Sequence, residues 1–242
     1  MLEIRGLSKN FGGLMAVAEF DLSVGRNEFL GIIGPNGAGK TTMLNLITGY
    51  LAPSGGSILL EGKPIHGLRP YQICHLGVGR TFQVVRPFAE MTVLDNIMTG
   101  ALFADEKPVS IAEARARSQH PLSVVGLAHK ADLPASALTL GEKKKLELAR
   151  ALATRPRLLL LDEVMAGLTR SEIDDLLPVL KRIHASGVTI MMIEHLVHVI
   201  LELSQRVMVL NFGRKLCEGP PEEVVRNPAV IESYLGKPLE AA

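Results

Sequence analysis

The chain has 242 residues, with 26 Lys and Arg against 25 Asp and Glu and a formal net charge of +1. That length suits one large α/β domain with a smaller subdomain and buries a sizeable core without metal or disulfide staples, and the even charge argues against a dedicated nucleic-acid binder. Two cysteines, Cys74 and Cys217, make no disulfide framework and point to a reducing compartment. No apolar run reaches the ~18 residues of a bilayer span, and Met-Leu-Glu-Ile-Arg-Gly at the start is not a signal peptide, so a chain soluble by itself is expected.

In chain order, Leu2–Ile4 and Ala18–Leu22 read as antiparallel strands. Phe29–Ile33 is a buried strand, a glycine-rich stretch follows, and Thr41–Ile47 reads as a helix. Pro53–Gly56 is a turn before a strand at Ser57–Leu60. Tyr71–Leu76 is a short helix, and Gly77–Phe82 a strand that leads into Gln83. Between Val84 and Leu138 strand signals fade, helices are expected at Val93–Leu102 and Ser110–Ser118, and Pro108, Pro121 and Pro134 punctuate the stretch. A helix is expected from Thr139 to about Thr154. The apolar strand Leu158–Leu161 ends at Asp162 and Glu163, and Ser171–Ala185 is helical around Pro178. Val188–Ile193 is a strand ending at Glu194 and His195, Arg206–Asn211 another, and Glu222–Tyr234 two short helices split by Pro228. Strands alternating with helices predict a mostly parallel sheet. We therefore expect a single domain over 1–242. Residues 1–83 and 139–242 form its α/β core with an antiparallel β part at the N-terminus, and 84–138 form an inserted helical subdomain.

Residues 34–42 read Gly34, Pro35, Asn36, Gly37, Ala38, Gly39, Lys40, Thr41 and Thr42, which contains the phosphate-loop pattern GxxxxGK[ST] between a strand and a helix. Glycines let backbone N–H groups turn toward phosphate oxygens, and the new helix points its positive end at the same anion. Lys40 adds a full charge and the Thr41 hydroxyl suits Mg²⁺. A plain glycine-rich turn is the competing explanation, and the full spacing with both flanks disfavours it. Asp162 ends an apolar strand, where α/β folds bind ligands, and can hold Mg²⁺ directly or through water. Glu163 beside it can take a proton from an attacking water or orient it. Thr139 and Glu142 make an S/T-x-x-E capping box around Gly141, a helix start that is also a surface for a terminal phosphate.

These motifs, with Gln83 and His195 in this order, resemble ATP-binding-cassette (ABC) ATPases over nearly the whole chain. The resemblance implies a P-loop NTPase core, ATP and Mg²⁺ as ligands, and roles for single residues. Phe11 matches the aromatic that stacks on adenine, Gln83 the glutamine that contacts Mg²⁺, and His195 the histidine at the γ-phosphate. Leu138–Glu142 matches the family signature, and Ala166–Thr169 the loop that crosses to a partner subunit. The chain departs from the pattern at Leu140, Glu142, Val164 and Thr169. Lys143–Lys145 either offset the charge of Glu142 or form a solvated helix face, and the solvated face is preferred. Apolar Val84, Val85 and Phe88 either touch a membrane subunit or pack inside the helical subdomain.

Within the family, Phe11–Leu14, Gly79–Val93 and Asn227–Gly236 are similar to the ATP-binding subunits of branched-chain amino-acid importers. That implies a peripheral ATPase at the cytoplasmic face of the membrane, in a homodimer or a heterodimer with a paralogous ATP-binding subunit. Its further partners would be integral membrane permease subunits and, indirectly, a periplasmic or extracellular solute-binding protein, with no nucleic acid. Urea or amide importers, lipopolysaccharide-export ATPases, non-transport ABC ATPases and a module that closes on ATP but hardly hydrolyses it are the alternatives.

Overall fold

A computed structural model describes residues 1–235. Gly236, the end of the stretch Asn227–Gly236, lies outside the described residues. The first elements are β1 (Leu2–Phe11), β2 (Leu14–Val24), β3 (Phe29–Ile33), α1 (Lys40–Ile47), β4 (Gly55–Leu60) and β5 (Lys63–Pro64). Next come α2 (Pro70–His75), β6 (Val78–Arg80), α3 (Val93–Leu102), α4 (Ile111–Val124), α5 (Leu140–Ala153), β7 (Leu158–Asp162) and α6 (Arg170–Ala185). The chain ends with β8 (Thr189–Ile193), α7 (Val197–Leu203), β9 (Arg206–Asn211), β10 (Arg214–Gly219), α8 (Pro221–Val225) and α9 (Pro228–Leu235). Two units result, one from residues 1–70 and the chain from Thr189 on, the other Tyr71–Val188.

In the first unit, β3 runs parallel to β8 and to β9, with Ile32 opposite Ile193 and Ile33 opposite Val209, and β10 returns antiparallel to β9. All five residues of β3 and of β8 are buried, which is why both read as unbroken apolar runs. An antiparallel sheet in the order β2-β1-β4-β5 completes the unit. Its inward pairs Leu2–Val24, Ile4–Leu22 and Leu7–Phe20 are buried on both sides. The first hairpin is longer than the sequence predicts, at 10 and 11 residues per strand. Register shifts between Ile4 and Leu7, Leu7 and Lys9, and Lys9 and Asn10 break the apolar alternation, while hydrogen bonding continues through them. The unit also contains β10 and α7, which sequence patterning does not predict. β10 buries none of its residues and α7 starts without a side-chain cap, so neither leaves a signal.

The second unit pairs β6 with β7 in parallel and carries α3 to α6. Among the described residues, 84–138 hold α3, α4 and two short 3-10 turns, with one isolated bridge from Thr92 to Pro134. Thr92 and Ser110 cap α3 and α4 by accepting from the amides of Asp95 and Glu113. α4 runs past its predicted end at Ser118 to Val124 with Pro121 inside it. Proline removes one helical donor, and buried Leu122 and Val125 beyond it hold the last turn in the core. No helix among the described residues is long and apolar enough to cross a membrane.

Candidate functional site

In the first unit the loop from Gly34 to Gly39 joins the end of β3 to the start of α1. Gly34 has φ +152° and Gly39 φ +102°, and a Cβ on them would lie 2.1 Å from the Leu210 carbonyl oxygen and 2.3 Å from that of Ala16. Only glycine fits either place. The resulting concave backbone ends at α1, whose N-cap is Gly39 and supplies no capping side chain, so the positive helix end is left to an outside anion. Lys40 is buried, and its Nζ donates to the carbonyl oxygens of Gly34 at 2.6 Å and Pro35 at 3.0 Å. The loop is thus tied by the lysine that sequence assigns to phosphate. Pro35 and Thr42 are half-buried, Ala38 is buried, and Asn36, Gly37 and Thr41 are exposed. The loop is braced from behind, since Gly213 donates to the Ala38 carbonyl and accepts from the Ala18 amide, each at 2.9 Å.

The same unit brings His195 to this edge. It is exposed two residues past the end of β8, and the neighbouring strand β3 runs straight into the loop. Its backbone amide donates to the carboxylate of buried Glu194 at 3.3 Å. Phe11 ends β1, is 45% exposed, and has Lys9 Nζ over one face of its ring, 5.2 Å from the centroid. An aromatic face left this open can stack on a flat ligand.

In the second unit Asp162 ends β7, 2% exposed, and its Oδ2 accepts from Arg80 Nη2 at 2.9 Å. Both side chains of this ion pair are buried. Glu163 follows with φ +49°, a left-handed conformation that strains a non-glycine residue. Its Oε2 accepts from Gln83 Nε2 at 2.7 Å. Asp162, Glu163 and Gln83 are therefore brought together here. α5 opens as expected on a complete capping box of Thr139 and Glu142. The Gly141 amide donates to Glu172 Oε1 at 3.3 Å, so Glu172 links the starts of α5 and α6. The Thr169 amide and hydroxyl, and more weakly the Gly141 amide, hold the Glu172 carboxyl below its usual range. Leu140 is 44% exposed.

Four neighbours of these residues escape the sequence reading. Arg80 lies in the stretch Gly79–Gln83 with nothing to mark it as the partner of Asp162. Lys130 pairs with Glu142 and, with the Thr139 contacts, keeps that carboxyl ionised below its usual range against burial. The lysine run Lys143–Lys145 is not the solvated face expected, because Lys144 is 3% exposed and reaches the Gln83 carbonyl at 3.0 Å. Glu147 accepts from the Phe82 amide at 2.9 Å, and burial pushes its carboxyl above the usual range against that bond and the charges of Lys144 and Arg150. The spacing of 144 and 147 on one helix face was the available signal. Thr169, where the family pattern has an acid or amide, serves as the N-cap of α6 in a second capping box with Glu172. Thr169→Ala should cost about 1 kcal/mol of stability, and Thr169→Asp almost none, in denaturant unfolding.

Residues 17–166 match the family model described as ABC transporter. The chain belongs to the ABC transporter family. A second model, described as branched-chain amino acid ATP-binding cassette transporter, matches residues 214–239 of this ABC subunit. The high-affinity branched-chain amino acid transport ATP-binding proteins BraF of Pseudomonas aeruginosa and LivG of Escherichia coli K12 are each 40% identical to it, with 98% of both chains covered. A probable LivG of Methanocaldococcus jannaschii is 32% identical over the same share. Among solved structures, an ABC-transporter cassette in its ADP conformation superposes with a TM-score of 0.89 at 31% identity, covering 98% of this chain and 99% of that one. A nucleotide-free cassette gives 0.88 at 30% with the same coverage. The subunit is thus an ABC ATP-binding protein closely related to branched-chain amino acid importer ATPases. ATP hydrolysis coupled to transport is the general activity of its family.

Proposed function

We propose that this subunit binds ATP at Gly34–Thr42 and hydrolyses it to power import of branched-chain amino acids by separate membrane subunits. The observation that carries the reading is the loop whose curvature only glycines permit, ending on an uncapped helix, in a chain 40% identical over 98% of its length to relatives named for that transport. Such a cradle fits a polyphosphate: backbone amides and Lys40 meet the oxygens, and Phe11 offers its ring to the base.

Mg²⁺ fits the donors present. In the first unit the exposed Thr41 hydroxyl, and in the second the Asp162 carboxylate and the Gln83 amide oxygen near Glu163, are each hard oxygen donors of the kind Mg²⁺ takes. Mg²⁺ characteristically keeps several waters and takes one or two protein oxygens beside substrate phosphates. When bound, Mg²⁺ would neutralise developing charge on the phosphates. Arg80 already engages one oxygen of Asp162, which leaves that carboxylate a limited share in such binding.

In this reading Glu163 orients a water and takes its proton, Gln83 holds the carboxylate until needed, and His195 contacts the departing phosphoryl group. The starts of α5 at Thr139, Gly141 and Glu142 would meet the nucleotide of a second ABC subunit, so two copies or two paralogues close on ATP and open after hydrolysis. Residues 84–138 act as the helical part that faces the membrane subunits. Val84 and Phe88 are 61% and 48% exposed, and Val85 is half-buried, so Val84 and Phe88 are not core residues of that part. Buried Asn96 fixes the segment by accepting from the Phe88 amide and donating to its carbonyl. The ion itself, the closing dimer, the permease contact, the peripheral seat on the membrane and the cargo all belong to this proposal.

Calorimetry of Lys40→Ala tests the loop directly. Removing a charge-assisted contact to phosphate should weaken ATP binding by roughly 10- to 100-fold, from ~1.5–3 kcal/mol. Affinity equal to the original would reject Gly34–Thr42 as the nucleotide site. Uptake of labelled leucine by vesicles holding the subunit with its co-purified permease tests the cargo, and uptake of urea instead would reject the amino-acid assignment.

A further inference from the structure

We propose that Lys144 is a positioning residue for hydrolysis, an internal ammonium that holds the loops of Gln83 and Glu163 at the separation their side-chain pairing requires. The proposal rests on the reading of Glu163 as the base. Lys144 lies one turn into α5 and is 3% exposed. Its Nζ donates to the Gln83 carbonyl at 3.0 Å and to the Glu163 carbonyl at 3.4 Å. A buried ammonium must be matched by acceptors, and here they come from two different loops. One cation between two carbonyls fixes the distance between those loops.

The side chains of the same two residues meet beyond it, with Gln83 Nε2 donating to Glu163 Oε2 at 2.7 Å. Glu163 keeps φ +49°, and a strained residue persists only where its surroundings over-determine it. Lys144 supplies part of that constraint through the carbonyl of Glu163 itself. Three residues further along α5, Glu147 Oε1 accepts from the Phe82 amide at 2.9 Å. α5 therefore grips the Phe82–Gln83 stretch by a donor and an acceptor on one helix face. Lys144 need not touch ATP for this role. Its effect passes through the orientation of Glu163, so it should appear in turnover rather than in nucleotide affinity.

The test is steady-state ATPase kinetics of the full subunit in its transporter complex, with Lys144→Met, Lys144→Arg, Lys144→Gln and Glu163→Gln. Lys144→Met should lower kcat by roughly 10- to 100-fold, the scale of ~1 Å misplacement of a catalytic group, while KM for ATP stays within about twofold. Lys144→Arg, which retains donors for both carbonyls, should recover most of the rate. Lys144→Gln, whose shorter neutral amide cannot bridge both carbonyls, should lower kcat less, again at constant KM. A folded Lys144→Met with unchanged kcat, beside an inactive Glu163→Gln, overturns this proposal alone. Full activity in both overturns the assignment of Glu163 as well. A rise in KM without loss of kcat would make Lys144 a nucleotide contact and overturn its positioning role. Should Lys144→Met fail to fold, the decision falls to Lys144→Gln, whose unchanged kcat would also overturn the proposal.

Discussion

Glu163→Gln is expected to bind ATP as tightly as the original chain and to hydrolyse it about 10²–10⁴ times more slowly, the range for losing a general base. The substitution is nearly isosteric. The new amide oxygen can still accept from Gln83 Nε2, which now bonds Glu163 Oε2 at 2.7 Å. Buried Asp162 and its partner Arg80 are untouched. What disappears is the basic oxygen able to take a proton from water. Binding and chemistry should therefore separate, with KM for ATP held and kcat lost. If hydrolysis ends the closed state, this variant should also retain ATP in a long-lived closed complex, visible as unhydrolysed nucleotide after rapid desalting. Hydrolysis at the original rate would reject Glu163 as the base.

The two strongest features of this site are legible because local chemistry dictates them. A tight anion cradle demands glycine at Gly34 and Gly39, where a Cβ would lie within 2.3 Å of a carbonyl oxygen, and that demand leaves a fixed spacing in the sequence. The strand before Asp162 is buried along its whole length and so reads as a run of leucines. The helix start at Thr139 is legible for a similar reason, since its cap is a short polar side chain three residues before its donor.

Features that depend on distant partners leave no such trace. Arg80 and Asp162 are 82 positions apart, and Lys144 meets Gln83 across 61. A run of three lysines normally marks a solvated face, and only packing decides that the middle one turns inward. The N-terminal hairpin hides for a different reason. Its register shifts put consecutive residues out of phase, so the period of two fails just where pairing continues. Exposed Val84 and Phe88 show the converse limit. Apolar residues in an inserted helical stretch are usually core, yet these two are exposed, and buried Asn96 of α3 engages only the backbone of Phe88.

Asp162→Ala should act on the fold before it acts on chemistry. Its carboxylate and the Arg80 guanidinium are 3% and 6% exposed and 2.9 Å apart. Desolvating both charges offsets much of their attraction, so the pair itself adds little net stability. Removing one partner differs, because Arg80 would keep its charge in a site with little water. The expected loss is about 3–5 kcal/mol, or roughly 6–20 °C in melting temperature for a chain of this size. Asp162→Ala combined with Arg80→Met should regain much of that loss, since no buried charge is stranded. Asp162→Asn should fall between them, retaining an acceptor for Arg80 without the charge. Thermal unfolding of the three variants checks the order. If the double variant melts as low as Asp162→Ala, the cost lies in lost packing or other contacts of Asp162 rather than in the stranded guanidinium. Where the double variant regains stability, its ATPase activity shows what losing the carboxylate and the guanidinium together does to the chemistry.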